Sequence, residues 1–219
     1  MIPQFIDLGL RDFLEVQEIQ KEILEKRKNN LCEDTVLISQ VYPVITLGRA
    51  AQDSDILVDK ETLRRENVKV CRINRGGGIT LHLPGQLVIY PIIDLNNLKK
   101  DIRDFIGFLE DWMIKLLSIY SIPGAVKDAL PGVWVGDRKI CFIGIGISKW
   151  VSFHGLSLNV SADLRFFSFI NPCGLENIKV TSLKEELRFI PDFEDLKTNL
   201  KNTYQYTLEK RGYFHEVIR

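Results

Sequence analysis

Between Asp12 and Lys28, apolar Phe13, Val16, Ile19 and Ile23 recur at helical spacing with charges between them, which predicts an amphipathic helix. A longer periodic stretch from Asp101 to Tyr120 sets Ile102, Phe105, Phe108, Leu109, Trp112 and Leu116 on one side. Asp59 to Glu66 reads as a short charged helix, and Phe193 to Lys210 as a final amphipathic one. Ser182 and Glu185 fit a capping box that opens another short helix. Strands are predicted over Thr35 to Ser39 and Val44 to Leu47, with Pro43 marking an edge or a bend between them. Val68 to Ile73 alternates and leads into a glycine loop, and Leu87 to Leu95 is a β-rich run interrupted by Pro91. Pro123-Gly124 and Pro131-Gly132 bracket a loop. Val133 to Val135 and Ile140 to Ile147 then form a hairpin around Gly136-Asp137. Val151 to Val160 is a further strand region, broken at Gly155. With no repeat, low-complexity tract or flexible linker, the mixed order of strands and helices predicts one α+β domain over residues 1–219, not strict βαβ winding.

Composition narrows the function classes. The chain is 45% hydrophobic and 26% charged, as ordinary globular proteins are. Lys plus Arg and Asp plus Glu are 29 each, so bulk charge argues for neither nucleic acid nor a membrane surface, though a local basic patch stays open. The start, MIPQFIDLGLRDFLEV, meets acidic residues too early for a secretory signal and lacks a small-residue cleavage site. No run approaches the roughly 20 apolar residues of a membrane span. A cytoplasmic address is expected.

Cys32, Cys71, Cys141 and Cys173 form no C-x-x-C pair, which argues against a zinc knuckle or a disulfide framework. Cys71 and Cys141 lie in β-like apolar runs, where buried, inert thiols are expected. Cys173 differs. It sits in the turn Asn171-Pro172-Cys173-Gly174, and a nucleophile there needs a nearby cation to hold its thiolate. Lys139 heads an apolar stretch and is one source of that charge. As an ammonium it would stabilise the thiolate, and as a neutral amine it could take a proton, or it is an exposed hairpin lysine beside Arg138.

Gly76, Gly77 and Gly78 follow a strand and let a backbone approach a ligand without Cβ obstruction, or serve as a tight inter-strand turn. Their N–H groups suit a phosphate, a carbonyl or an oxyanion. The loop lacks the G-K-[ST] ending of a P-loop and the G-x-G-x-x-G spacing. Arg75 would hold an anion or pin the loop. His82 should face away from Leu81 and Leu83. His82, His154 and His215 are scattered without H-x-x-x-H, so no metal site is expected.

Five ordered segments together resemble the lipoate-protein octanoyltransferases: RGGGITLHLPGQLVIY at Arg75 to Tyr90, GVWV at Gly132 to Val135, Lys139 to Gly144, FHGLSLNV at Phe153 to Val160, and INPCG at Ile170 to Gly174. The resemblance runs from about Ile45 to Leu183. Leu81 stands where the family is usually aromatic, Leu83 where it usually has glycine, and Phe142 where it usually has a small residue. These departures bear on pocket shape and acyl length. The resemblance implies mixed β-sheets flanked by helices, as in the catalytic domain of biotin and lipoate protein ligases. It implies Cys173 as the acyl-thioester nucleophile with Lys139 as its partner. It also implies a substrate pocket of Arg75, Gly76, Gly77, Gly78, Ile79, Thr80, Leu81, His82, Phe142, Ile143, Gly144, Gly155, Leu156 and Ser157. The implied activity is octanoyl or lipoyl transfer from acyl carrier protein to a lysine of a lipoyl-domain protein, with no cofactor and no metal. The implied acceptors are the lipoyl domains of 2-oxoacid dehydrogenases or the glycine cleavage H protein. An ATP-dependent lipoate or biotin protein ligase and a non-catalytic acyl-carrier or lipoyl-domain binding module are the alternatives. Neither alternative needs a thiol.

Overall fold

The structure is a computed structural model that describes residues 2–171 and 178–213. Cys173 and His215 lie outside the described residues. Its centre is a mixed sheet of β1 (Gln4–Arg11), β2 (Thr35–Val41), β6 (Gln86–Ile92), β10 (Val151–Asn159), β9 (Arg138–Ser148), β8 (Gly132–Val135) and β7 (Gly124–Ala125). They lie side by side in that order. A short strand, β11 (Lys179–Val180), joins β9 in parallel. β1 pairs with β2 in parallel, and the remaining neighbours along this path are antiparallel. A smaller sheet holds β4 (Lys69–Arg72), β3 (Val44–Leu47) and β5 (Ile79–His82) in that order. Pro43 falls where the chain leaves β2 and changes sheets, so it marks a bend.

Both faces of the large sheet are covered, and this explains the apolar runs. Val36, Ile38, Leu87 and Ile89 pack on one face under α3 (Ile102–Ile119) and α5 (Phe193–Lys210). Leu37, Val88, Tyr90 and Ile92 pack on the other, with Phe13 and Val16 of α1 (Phe13–Lys28). A strand buried on both sides loses hydrophobic alternation. On the α3 side, Trp112 stands edge-on to Tyr204 at 4.9 Å and its indole N–H donates to the Leu200 carbonyl at 2.9 Å. A separate cluster, with Leu47, Leu81, Leu83, Phe142 and Phe167, lies against the small sheet.

The helices start where their caps predict. Asp12, Asp101 and Asp192 each accept a hydrogen bond from first-turn amides of α1, α3 and α5. Asp59 does the same for α2 (Lys60–Arg65), and Ser182 accepts from the Glu185 amide to open α4 (Leu183–Leu187). Two expectations change, and one strand was not anticipated. β1 carried no strong strand signal because much of it is exposed at the sheet edge. β6 is not interrupted at Pro91: that residue stays in register with Val36 of β2, and its ring packs where a side chain at Gly155 would sit, 2.7 Å from an ideal Cβ. β10 is likewise continuous through Gly155, with the backbone irregularity one residue earlier, at His154 (φ +55°). Among the described residues no helix is long and apolar enough to cross a membrane.

Candidate active site

A cavity of about 620 Å³ opens between the two sheets, within the size range of small-molecule sites. Its floor comes from β5, β6, β9 and β10, and its rim from the loop after β4, the start of α3 and residues 129–131. Arg75, Gly76, Gly77, Gly78, Ile79, Thr80, His82, Lys139, Phe142, Ile143, Gly144, Gly155, Leu156 and Ser157 all line it. The fold therefore gathers residues from three separated segments around one space. Leu81 is the exception: it is fully buried in the small-sheet cluster, on the opposite side of β5 from His82. That opposition is what an extended strand dictates.

The glycine loop is tied down by its own neighbours. Gly48 and Ala50 amides donate to the Gly78 and Gly77 carbonyls, and the Gly76 amide donates to Ile145 at 2.8 Å. The Gly76 N–H is thus committed to β9. Gly77 and Gly78 line the cavity, and their N–H groups make no backbone hydrogen bond among the described residues. Arg75 is buried, and its guanidinium donates to the Thr46 carbonyl (2.9 Å), the Thr46 hydroxyl (3.0 Å) and the Gly76 carbonyl (3.0 Å). It pins the loop to β3.

Two histidines share this end of the cavity. Burial lowers the pKa of His82 to about 3 and of His154 to about 4, with the Arg75 charge adding to both shifts. Both imidazoles are neutral at pH 7. His82 stacks on Phe13 at 6.2 Å. Its Nδ1, the Thr80 and Ser157 hydroxyls and the Tyr90 hydroxyl have no hydrogen-bond partner among the described residues. All four belong to cavity-lining residues and can meet a carbonyl or thioester in an otherwise apolar wall.

Lys139 is no exposed hairpin lysine. It is 2% exposed, and its Nζ donates to the Pro131 carbonyl at 2.9 Å. The ammonium lies 4.9 Å from the Phe142 ring centre and 5.2 Å from that of Trp134, within cation–π range. Phe142, stacked on Phe167 at 5.3 Å, so forms part of the lysine's seat. The chain on either side of Cys173 is anchored close by. Ile170 bridges Ile56, while Val180 of β11 pairs with Lys139 and the Thr181 amide donates to the Lys139 carbonyl at 3.0 Å. Of the other cysteines, Cys141 is fully buried in the core, and Cys32 and Cys71 are partly buried. Burial raises all three thiols, so none favours a thiolate. Cys71 is less buried than its apolar surroundings in sequence predict, because β4 is an edge of the small sheet.

Several lining residues lie outside the pocket expected from sequence, Tyr90, His154 and Phe13 among them. Tyr90 ends the GQLVIY segment, and its two-residue spacing from Val88 placed it on the same face. The left-handed backbone of His154 has no sequence signal. Phe13 looked like any core position of an amphipathic helix.

The architecture and this cavity define a family. The chain belongs to the lipoyl protein ligase A/B catalytic domain family, whose pattern matches residues 12–205. Among its relatives is the octanoyltransferase of Caldanaerobacter subterraneus subsp. tengcongensis, 38% identical over 215 residues, which span 98% of this chain and 92% of that one. The fold is shared with the bi-partite lipoate protein ligase of Thermoplasma acidophilum (TM-score 0.72, 14% identity, 95% and 84% of the two chains). It is also shared with the biotin protein ligase of Aquifex aeolicus (TM-score 0.55, 16% identity, 96% and 71%).

Proposed function

We propose that residues 1–219 act as one octanoyltransferase domain, moving an octanoyl or lipoyl group from acyl carrier protein to a lysine of a lipoyl-domain protein. The observation that carries the reading is Lys139: a buried lysine in the wall of an apolar cavity, in register with the strand that follows the Cys173 segment. The related octanoyltransferase supports the same chemistry.

In this reading the Cys173 thiolate attacks the donor thioester carbonyl. A C–S bond forms to the enzyme, the C–S bond to the carrier breaks, and the carrier's leaving thiolate takes its proton from the Lys139 ammonium, which leaves Lys139 as a neutral amine. The lysine amine of the acceptor then attacks the enzyme thioester. The C–N bond forms, the C–S bond to Cys173 breaks, and the amine proton passes to Lys139. Thioester to amide is downhill, so the reaction needs no ATP, and two acceptors at one nucleophile give ping-pong kinetics. The Gly77 and Gly78 N–H groups are the oxyanion donors in this scheme. Ile79, Ile143 and Leu156 receive the acyl tail, each buried CH₂ contributing about 0.8 kcal/mol. The lipoyl domains of 2-oxoacid dehydrogenases and the glycine cleavage H protein are the acceptors proposed.

The test mixes octanoyl carrier protein and a lipoyl domain without ATP and compares Lys139 variants. Lys139→Ala removes both the cation and the base and should cost about 10²–10⁴-fold. Lys139→Arg keeps the charge without a usable base, so it should acylate better than Lys139→Ala and then stall with acyl-enzyme accumulated. Octanoylation that requires ATP and free octanoate, with no turnover of the carrier thioester, would establish a ligase instead.

A further inference from the structure

Glu110 is a half-buried carboxylate on α3 that the proposed mechanism does not use, and it reaches the lysine's seat. Its Oε1 accepts a hydrogen bond from the Gly132 amide at 3.0 Å, while Lys139 Nζ donates to the Pro131 carbonyl at 2.9 Å. These are the two ends of one peptide group, Pro131–Gly132. The chain of contacts is therefore ammonium, carbonyl, amide, carboxylate. An anion at the amide end polarises the peptide and makes its carbonyl a stronger acceptor for the ammonium. The close packing at Gly132 (φ +131°) supports a fixed arrangement: a Cβ there would lie 2.4 Å from the Cys141 carbonyl and 2.7 Å from Lys139 Cε.

We infer that Glu110 is a positioning residue for Lys139, holding its side-chain nitrogen in place through the Pro131–Gly132 peptide. The inference rests on the reading of Lys139 as the active-site lysine, and it adds a residue to that site. Besides Lys139, the charged groups that act on Glu110 are Asp111 on its own helix and Arg211 after α5. Burial raises the Glu110 carboxyl and Asp111 adds to this, while the Gly132 amide, Lys139 and Arg211 pull it down. The Lys139 charge thus acts on the Glu110 carboxyl.

Two measurements test it. The Glu110 carboxyl is followed by ¹³C NMR, its signal assigned by loss in Glu110→Gln. In Lys139→Met, which keeps the stem and drops the charge, its titration should move up. Acyl-enzyme formation from octanoyl carrier protein is then measured against pH. Glu110→Gln keeps an acceptor for the Gly132 amide but loses the charge. Its alkaline limb should shift to lower pH, with the optimum rate within a few-fold of wild type. Glu110→Leu, lacking both, should lose at least tenfold at every pH per folded molecule. An unmoved Glu110 titration in Lys139→Met, or a wild-type pH profile in Glu110→Gln, overturns the inference. Full transfer activity in Lys139→Met would instead overturn the proposed function, and the carboxyl titration would still decide the coupling.

Discussion

His82 and His154 show what burial does to a titratable residue before any substrate arrives. Each has a folded-state pKa below the ordinary histidine value, about 3 and about 4. The unfolded chain therefore takes up protons near pH 6.5 that the folded chain refuses until far lower pH. Stability present above pH 6.5 is lost as the pH falls toward these folded values. Between pH 7 and 5 each histidine should cost about 2 kcal/mol, in a window where most carboxylates stay ionised. Urea unfolding at the two pH values should show His82→Gln losing less stability than wild type by about that amount. Equal losses would mean that His82 is accessible to protons in the folded state. At this scale the sequence revealed the residue types and hid their environments. His82 could be placed opposite Leu81 and Leu83 from strand geometry alone. Its contact with Phe13, some seventy positions earlier in the chain, could not.

At the scale of elements, two features carry the predictions. The first is the glycine loop, whose carbonyls are held by residues 48–50 and whose Gly77 has φ +80°. A Cβ at Gly77 meets its nearest described neighbour, Arg75 Nη1, at 3.6 Å, so a larger side chain would enter the cavity instead of clashing. Gly77→Val should lower transfer more than tenfold, while the left-handed backbone costs about 1–2 kcal/mol of stability. Activity that falls only in step with folded protein would make the loop structural. The second feature is Arg27 of α1. It is buried and pairs with Asp34 at 2.7 Å and Asp94 at 3.3 Å. Arg27→Ala strands two partly buried carboxylates and should cost about 3–5 kcal/mol, with activity per folded molecule unchanged. A midpoint within experimental error of wild type in urea would refute that. Helices were legible from their apolar periodicity. Strand breaks were not: Pro91 and Gly155 each look like interruptions alone, and become compatible only because they face one another across two strands.

For the whole molecule, the order of strands is what makes a site, and no local pattern encodes it. β5 and β6 come from one stretch of sequence and β9 and β10 from another, and the four meet around one cavity. Separate motifs at Arg75 to His82, Lys139 to Gly144 and Gly155 to Ser157 implied convergence through a family resemblance; periodicity alone gave an α+β chain. The Glu110–Gly132 contact stayed invisible because Glu110 sits beside Asp111 and reads as the solvent face of a helix.

The central claim is that Cys173 carries the acyl group, and one experiment addresses it directly. The protein is incubated with octanoyl carrier protein without acceptor, its intact mass is recorded, and the modified peptide is mapped. One added octanoyl group is expected on the peptide containing Cys173, discharged on addition of a lipoyl domain and absent in Cys173→Ser. Octanoyl on Cys141, or transfer that proceeds in Cys173→Ser, would contradict it.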